Sequence, residues 1–226
     1  MQDLINKITH GDCLEVMKTI PDKSIDLVLT DPPYGINYQS NMRSNKFEKI
    51  ENDNNDMRFV AYDTIYRILK YNCVAILFCS YKNFADDYKY LQKKFSIKNV
   101  IVWDKGGGGI GDLSHSLSTD YELAIIAHKG QCLIRGKREG SVWDFAKVNP
   151  NFMVHPTEKP IPLLKKCIEK FSDESNLVLD CFSGSGTTAI ACSELKRNFI
   201  CIEKDKQYYD ASVQRLENYN KQLKLF

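Results

Sequence analysis

The sequence contains no Cys-x-x-Cys pair, although eight of its 226 residues are cysteine. Cysteines at that spacing are the usual ligands of a structural zinc ion, so no metal site is expected. The cysteines are scattered through apolar segments, at positions 13, 73, 79, 132, 167, 181, 192 and 201. This distribution favours buried, reduced thiols in a cytoplasmic protein.

Long apolar runs are also lacking, and none approaches the roughly 20 residues that a membrane-spanning helix needs. The first ten residues, MQDLINKITH, show no basic segment followed by an apolar one, so no signal peptide is expected. No G-x-x-x-x-G-K-[ST] motif is present, which argues against a nucleoside-triphosphate site. The net charge is only +2, so any surface for a polyanion must be a local patch.

Short, continuous apolar runs recur along the chain and alternate with segments of helical spacing. Runs of this kind are typical of strands that are covered on both faces. Six of them are predicted strands: 25–30, 73–79, 99–103, 121–128, 176–181 and 198–203. Apolar residues at helical spacing predict helices within 61–69, 161–171 and 209–216. The alternation predicts an α/β fold with a doubly wound, mostly parallel sheet in a single domain, residues 1–226.

Two stretches do not follow this alternation. Residues 35–58 are polar and rich in Asn, and a loop of this length in a compact domain is usually a lid or binding loop. We therefore predict a mobile loop there. Residues 129–153 lack periodicity but carry a basic cluster of Lys129, Arg135, Lys137 and Arg138. That cluster is either a solvated hairpin tip or a patch that faces phosphates.

The segment VLDCFSGSGTTAIA, residues 178–191, predicts a strand that ends at Asp180, a glycine-rich turn and the start of a helix. Gly184 and Gly186 allow the backbone to approach a ligand closely, and the helix start offers unpaired N–H groups. The next predicted strand ends at Glu203, whose carboxylate is suited to accept hydrogen bonds from a ribose. The segment also satisfies a dinucleotide-binding pattern, so on its own it leaves the cofactor open.

The order of the predicted strands along the chain argues against a nicotinamide dinucleotide as the cofactor. A nicotinamide-binding fold continues from its glycine loop through several more strands, whereas only 23 residues follow Glu203 here, enough for one helix. The strands that complete the sheet must therefore lie nearer the N-terminus, with the cofactor half last in the chain. A second glycine cluster at 106–111 does not precede an amphipathic helix, and we interpret it as a flexible connection between strands.

The stretch DPPY follows the first predicted strand directly. Asp31 therefore lies at the carboxyl edge of the sheet, where open α/β folds bind ligands. Pro32 and Pro33 hold a rigid extended corner. The Asp31 carboxylate and the Pro32 carbonyl are two acceptors, which suit the exocyclic amine of a nucleobase, and Tyr34 offers a ring for stacking worth roughly 1–3 kcal/mol. The alternative is a plain Asp-Pro turn.

Three motifs in this order, DPPY at 31–34, HPTEKP at 155–160 and DCFSGSGTT at 180–188, resemble the β-class amino-methyltransferases of DNA. The resemblance extends from GDCLEVMKTI at 11–20 to IEKDKQYYDASVQRL at 202–216. It implies a seven-stranded, Rossmann-like methyltransferase sheet with a circularly permuted motif order. It also implies S-adenosylmethionine as the cofactor and transfer of a methyl group to an exocyclic base nitrogen of double-stranded DNA.

The resemblance assigns roles residue by residue. The base site comprises Asp31, Pro32, Pro33 and Tyr34. The cofactor site comprises Asp12, Thr157, Lys159, Asp180, Phe182, Ser183, Gly184, Ser185, Gly186, Thr187 and Glu203. Within it, Thr157 and Lys159 are expected near the methionine end and Asp12 near the adenine, although Asp12 also suits a helix N-cap. DNA contacts are expected from Lys129, Arg135, Lys137 and Arg138, and no metal is needed.

The resemblance favours adenine N6 as the acceptor, because members with DPPY are mostly adenine enzymes and SPPY is the usual cytosine form. Asp31 itself would accept either amine. An N4-cytosine enzyme, an RNA or protein-amide methyltransferase and a catalytically silent DNA-binding partner stay open as alternatives. A homodimer and a companion restriction endonuclease are partners that the resemblance allows. The insert at 131–154 is shorter than the target-recognition region of many relatives, which is typical of a protein that reads either a short site or little sequence at all.

Overall fold

The computed structural model describes residues 1–33, 55–107, 114–149, 151, 153, 155 and 157–223. Its strands are β1 (Lys7–His10), β2 (Ile25–Thr30), β3 (Leu69–Cys79), β4 (Ser96–Asp104), β5 (Tyr121–Lys129), β6 (Val142–Asp144), β7 (Leu177–Asp180) and β8 (Asn198–Glu203). Its α-helices are α1 (Cys13–Lys18), α2 (Asn55–Ile68), α3 (Phe84–Leu91), α4 (Ile161–Phe171), α5 (Thr187–Glu194) and α6 (Lys206–Leu223).

The strands form one sheet in the order β1-β8-β7-β2-β3-β5-β4-β6. Every neighbouring pair is parallel except the two pairs that involve β5. The predicted α/β class with a mostly parallel sheet is thus confirmed, but the sheet has eight strands where seven were expected. The additional strand, β6, has three residues and pairs with β4 at the sheet edge, so it is too short to produce a recognisable apolar run.

Helices cover both faces of the sheet, as continuous apolar strands require. One buried cluster joins the sheet to α1, α2 and α3, and a second joins the opposite face to α4, α5 and α6. Helix α4 shows how the sequence produces this layer. Pro160 is its N-cap and Pro162 lies in its first turn, where the missing N–H is not needed. Its buried side recurs at helical spacing: Leu163, Leu164, Cys167, Ile168 and Phe171.

The predicted loop at 35–58 is wrong at its C-terminal end, because α2 begins at Asn55. Residues 34–54, which include Tyr34, lie outside the described residues. Arg58 belongs to α2 and forms a buried ion pair with Asp87 of α3, with 2.8 Å between its Nε and the carboxylate. Because Arg58 is charged but buried, the apolar periodicity of the sequence does not show that the helix begins this early.

Within the glycine cluster at 106–111 the structure describes Gly106 and Gly107, which follow β4 and precede β5 in the chain. Gly106 and Gly107 adopt positive φ angles of 67° and 142°, which favour glycine. All eight cysteines are free thiols, and six of them are buried. Among the residues that the structure describes, no helix is long and apolar enough to cross a membrane, and no group of three His, Cys, Asp or Glu side chains is arranged to hold a metal ion.

Candidate active site

The carboxyl ends of β2, β7 and β8 lie side by side and carry the predicted acidic residues. β7 lies between β2 and β8, so Asp31, Asp180 and Glu203 meet at one edge of the sheet. The hydroxyl of Thr30 donates a hydrogen bond to Asp180 at 2.7 Å, across 150 residues of sequence. The two halves of the chain therefore meet in the sheet, because β2, which leads into DPPY, pairs with β7, which leads into the glycine loop.

Asp180 organises the glycine loop through hydrogen bonds. Besides Thr30, it accepts hydrogen bonds from the Thr188 hydroxyl at 2.6 Å and from the Phe182 N–H at 3.2 Å. Burial raises the pKa of Asp180 to about 6, and these hydrogen bonds oppose the shift. Asp180 therefore supports the glycine loop, and its direct contact with a cofactor stays a prediction.

Two glycines allow the loop to turn into α5. Gly184 and Gly186 have φ angles of 48° and 72°, in the left-handed region that disfavours side chains. A Cβ at Gly186 would lie 3.0 Å from the Cβ of Ser212, and one at Gly184 would lie 3.3 Å from the His155 ring. The loop is therefore closely packed against its surroundings, and Gly186 forms the N-cap of α5.

The loop presents polar groups with unused hydrogen-bonding capacity. The Ser183 hydroxyl is buried and has no partner in the structure, which costs roughly 1–3 kcal/mol unless a ligand supplies one. Glu203 accepts hydrogen bonds from the backbone N–H groups of Gly184 and Asp205, at 2.7 and 2.8 Å. Burial raises the pKa of Glu203. A carboxylate has about four acceptor positions, so Glu203 keeps capacity for ribose hydroxyls, and the loop fits a nucleoside-type cofactor.

The structure shows one of the two roles that the sequence left open for Asp12, and its contact with the cofactor adenine stays a prediction. It is the N-cap of α1, and one carboxylate oxygen accepts a hydrogen bond from the Leu14 N–H at 2.9 Å. Its other oxygen lies 3.4 Å from the Lys204 ammonium, directly after Glu203. The N-cap is therefore real, and it places Asp12 beside the end of β8, since His10 and Glu203 are paired in the sheet.

The HPTEKP segment packs on the glycine loop from the other side. The His155 ring contacts Gly184 and lies edge-on to Tyr208 of α6, with 4.2 Å between the ring centroids. Burial and the nearby Lys159 ammonium lower the pKa of His155 to about 4. His155 is therefore neutral at physiological pH. Thr157 is exposed, and its hydroxyl lies 3.1 Å from Nδ1 of His155.

Glu158 connects the same segment to α6. Its buried carboxylate lies 2.7 Å from Nη2 of Arg215. The other terminal nitrogen of Arg215 donates hydrogen bonds to the Ser185 carbonyl at 3.2 Å and the Thr187 hydroxyl at 3.3 Å. Ser185 and Thr187 also contact each other, with 2.9 Å between their hydroxyl oxygens. Both predicted cofactor residues are thus held by an ion pair that the sequence did not reveal.

Lys159 reaches into the DPPY half of the site. Its ammonium lies 2.5 Å from Oδ2 of Asp31 and 2.6 Å from Oε1 of Glu122. Burial alone would lower the pKa of Lys159, but the two carboxylates outweigh it and hold the pKa above its ordinary value. Pro32 is buried and Pro33 is half-buried beside this ion pair. The charge of Lys159 is thus bound to Asp31 and Glu122, and its expected position near the methionine end of the cofactor stays a prediction.

The predicted basic cluster separates into three environments. Lys129 is buried and donates to the carbonyls of Tyr66 and Leu69, at the C-terminal end of α2. Its ammonium is therefore unavailable to phosphates, and its prediction as a DNA contact is wrong. Arg135 forms a two-point pair with Asp173 at 2.7 and 3.2 Å. Lys137 and Arg138 are exposed.

Glu122 and Arg215 are the site residues that sequence reasoning missed. Glu122 is the second residue of β5, and an acid at the start of a largely apolar run could have been recognised as a candidate. Together with Lys105, Tyr81 and Tyr121 it lines a cleft of ≈ 150 Å³ beside the Asp31 pair. Arg215 lies on an amphipathic helix, and its sequence alone gives no signal of its role.

Comparison with known proteins agrees with this geometry. A family model described as DNA methylase matches residues 25–133 and 131–214. The DNA adenine methyltransferase YhdJ of Escherichia coli (strain K12) is 29% identical over 245 residues, covering 93% of this chain and 82% of its own length.

Two solved structures are similar to the chain. The M1.HpyAVI–SAM complex is 26% identical, with a TM-score of 0.75 and coverage of 93% of this chain and 98% of its own. The cytosine-N4-specific PvuII DNA methyltransferase is 17% identical, with a TM-score of 0.76 over 95% of this chain and 91% of its own, and indicates the fold alone. The cofactor is S-adenosylmethionine, which the glycine loop fits. The chain belongs to the DNA methylase family, the DNA methyltransferases that modify exocyclic N6 or N4 amines.

Proposed function

We propose that the protein methylates N6 of adenine in DNA. The observation that carries methyl transfer to an exocyclic amine is the position of Asp31, directly after β2 and one strand away from the glycine loop. Its motif has the DPPY form, which in the family is mostly associated with adenine. The similarity to YhdJ, a DNA adenine methyltransferase, supports the same base.

Asp31 and Pro32 would act on the amine through hydrogen bonds. An aromatic exocyclic amine is a weak nucleophile, since its lone pair is delocalised into the ring. Donation of its two N–H groups to the Asp31 carboxylate and the Pro32 carbonyl returns electron density to the nitrogen and favours the tetrahedral geometry needed for attack. Pro32 is buried and its ring fixes φ, so its carbonyl is rigidly held.

The base must leave the duplex to reach these acceptors. Extrusion of a nucleotide costs a few kcal/mol in unstacking and unpairing. We propose that Tyr34 stacks on the extruded base and offsets part of that cost. Phosphate contacts from Lys137 and Arg138 would hold the duplex in register, because they are the exposed members of the basic cluster.

The cofactor supplies an electrophilic methyl group on a sulfonium. In our proposal Ser183, Gly184 and Gly186 hold it through the hydroxyl and the loop backbone, and Glu203 accepts its ribose hydroxyls. Phe182, Ser185 and Thr187 complete the loop wall. The protein needs to hold two reactants in line, which recovers much of the entropy cost of a bimolecular reaction.

The test is methyl transfer followed by identification of the modified base. Purified protein is incubated with S-adenosylmethionine and duplex DNA of mixed sequence, and the DNA is digested to nucleosides for mass spectrometry. We expect N6-methyladenine, and its loss in Asp31→Ala. Asp144→Asn is the matched control, because Asp144 is an exposed acid at the end of β6. N4-methylcytosine as the product would refute the base assignment, and transfer to RNA or protein alone would refute the substrate class.

A further inference from the structure

Three charged side chains from distant segments converge beside the DPPY corner. Asp31 follows β2, Glu122 lies in β5 and Lys159 precedes α4. The Lys159 ammonium bridges the two carboxylates at 2.5 and 2.6 Å. Exposed fractions of the side chains are 18% for Asp31, 13% for Glu122 and 7% for Lys159. The group is therefore largely removed from water.

Aromatic rings surround the bridging ammonium. It lies 4.9 Å from the ring centroid of Phe78 and 6.0 Å from that of Trp103. Rings at these distances stabilise a cation, but they offer no hydrogen-bond acceptor comparable to a carboxylate. The ammonium is consequently held by Asp31 and Glu122 together, and loss of either acid would leave a buried charge only partly compensated.

Two acids on one lysine have a chemical consequence. A carboxylate buried without a cation favours its neutral form, which accepts hydrogen bonds poorly. A carboxylate that is the only acid paired with a lysine has most of its charge offset by that lysine. Glu122 takes part of the Lys159 ammonium and also pairs with Lys105, with 3.3 Å between its Oε2 and the Lys105 ammonium. Asp31 therefore shares its lysine with a second acid and is only partly neutralised by it.

We infer that Glu122 and Lys159 are positioning residues that fix the orientation of the Asp31 carboxylate and keep it charged for the target amine. Neither is required to touch the base. This inference rests on the proposed function, because it assigns them to the methyl-transfer step. It also gives a role to the half-buried acid at the start of β5, where a charge is costly without a partner.

The experiment compares Glu122→Gln with wild type. The substitution keeps the shape of the side chain and removes its charge. We expect kcat to fall by roughly 10- to 100-fold, the order that misplacement of a reacting group by about 1 Å produces. The Kd for S-adenosylmethionine, measured by calorimetry, should change little, whereas the melting temperature should fall because the buried Lys159 ammonium keeps only one carboxylate. A structural role alone would lower the melting temperature and leave the kcat of the folded variant unchanged, or would weaken cofactor binding together with kcat.

Glu194→Gln is the matched control. Glu194 forms an ion pair of the same length, 2.6 Å, with Lys165, away from the DPPY corner. Its kcat should equal that of wild type. If Glu122→Gln melts early, Glu122→Asp preserves the charge and shortens the side chain, and we expect a smaller loss of kcat in a folded protein.

A kcat within twofold of wild type in the folded Glu122 variants would overturn the inference, as would a loss of cofactor affinity that accounts for the whole effect. The proposed function fails separately. If the wild-type product is N4-methylcytosine, the base assignment is refuted, and the same comparison of kcat is made on that product.

Discussion

Removal of Arg215 should loosen the cofactor loop without touching the cofactor. Arg215 joins the buried Glu158 to the Ser185 carbonyl and the Thr187 hydroxyl. Arg215→Met retains much of the apolar stem and deletes all three contacts. The variant should therefore lose global stability through Glu158 and cofactor affinity through the loop.

The structure gives the size of both effects. Loss of one partner from a buried ion pair costs about 3–5 kcal/mol. The Glu158 side chain is only 2% exposed, but that of Arg215 is 23% exposed, so we expect a loss just below that range, about 2–3 kcal/mol. The two loop hydrogen bonds are long, and their loss should cost about 1–1.5 kcal/mol. That corresponds to roughly tenfold weaker cofactor binding.

Urea unfolding and calorimetry with S-adenosylmethionine measure these two quantities. In Glu158→Gln/Arg215→Met the buried acid is neutral, so part of the lost stability should return while cofactor affinity stays low. Arg197→Met is the control. Arg197 also donates to backbone carbonyls, those of Leu195 and Ser172, but it directly precedes β8 and so lies at the amino ends of the strands, away from the site. Wild-type cofactor affinity in Arg215→Met, or an equal loss in Arg197→Met, would refute the reasoning.

Three further predictions concern pH, backbone geometry and DNA. Burial lowers the pKa of His155 from 6.5 to about 4 in the folded protein. Between these two pH values the unfolded chain binds a proton that the folded protein does not bind, so the free energy of unfolding decreases as pH falls. Urea unfolding at pH 7 and pH 4.5 should show a decrease of at most about 3 kcal/mol in the free energy of unfolding. The decrease should be smaller in His155→Gln, and the same pH dependence in this variant and in wild type would contradict the prediction. Gly186→Ala should destabilise by about 2–3 kcal/mol, because its φ is 72° and its Cβ would lie 3.0 Å from a side-chain carbon. Gly140→Ala is the control with nothing within 4 Å, and equal melting temperatures for both variants would show that the loop accommodates a side chain. Changing Lys137 and Arg138 to Ala should lower the salt dependence of DNA binding by about one or two in log–log slope, and an unchanged slope would return both residues to ordinary solvated surface.

Most of the sheet could be predicted from the sequence, because buried strands leave continuous apolar runs. β2 and β8 were predicted at the bounds that the structure has, 25–30 and 198–203. The edge strand β6 escaped because only one of its three residues is buried. Helix α3 escaped because it is short and buries the charged Asp87.

The candidate site was predictable where backbone chemistry determines the residue. The corner at Asp31 and the turns at Gly184 and Gly186 require particular residue types, so they left readable motifs. Which charged side chains pair with each other was not predictable, because an ion pair depends on distances in the folded structure. Lys129 illustrates this limit: within the sequence it is one basic residue among four, and in the structure it caps the end of α2.

The bond between Thr30 and Asp180 has a consequence for the protein during its synthesis. At about 5–20 residues per second, the ribosome needs roughly 8–30 s to make the 150 residues that separate them. Until then the apolar strand β2 lacks β7 on one side and presents an unpaired edge, which is a template for wrong pairing. The nascent chain should therefore depend on chaperones up to the emergence of β7 and β8, and no fragment that ends before them can assemble both halves of the site.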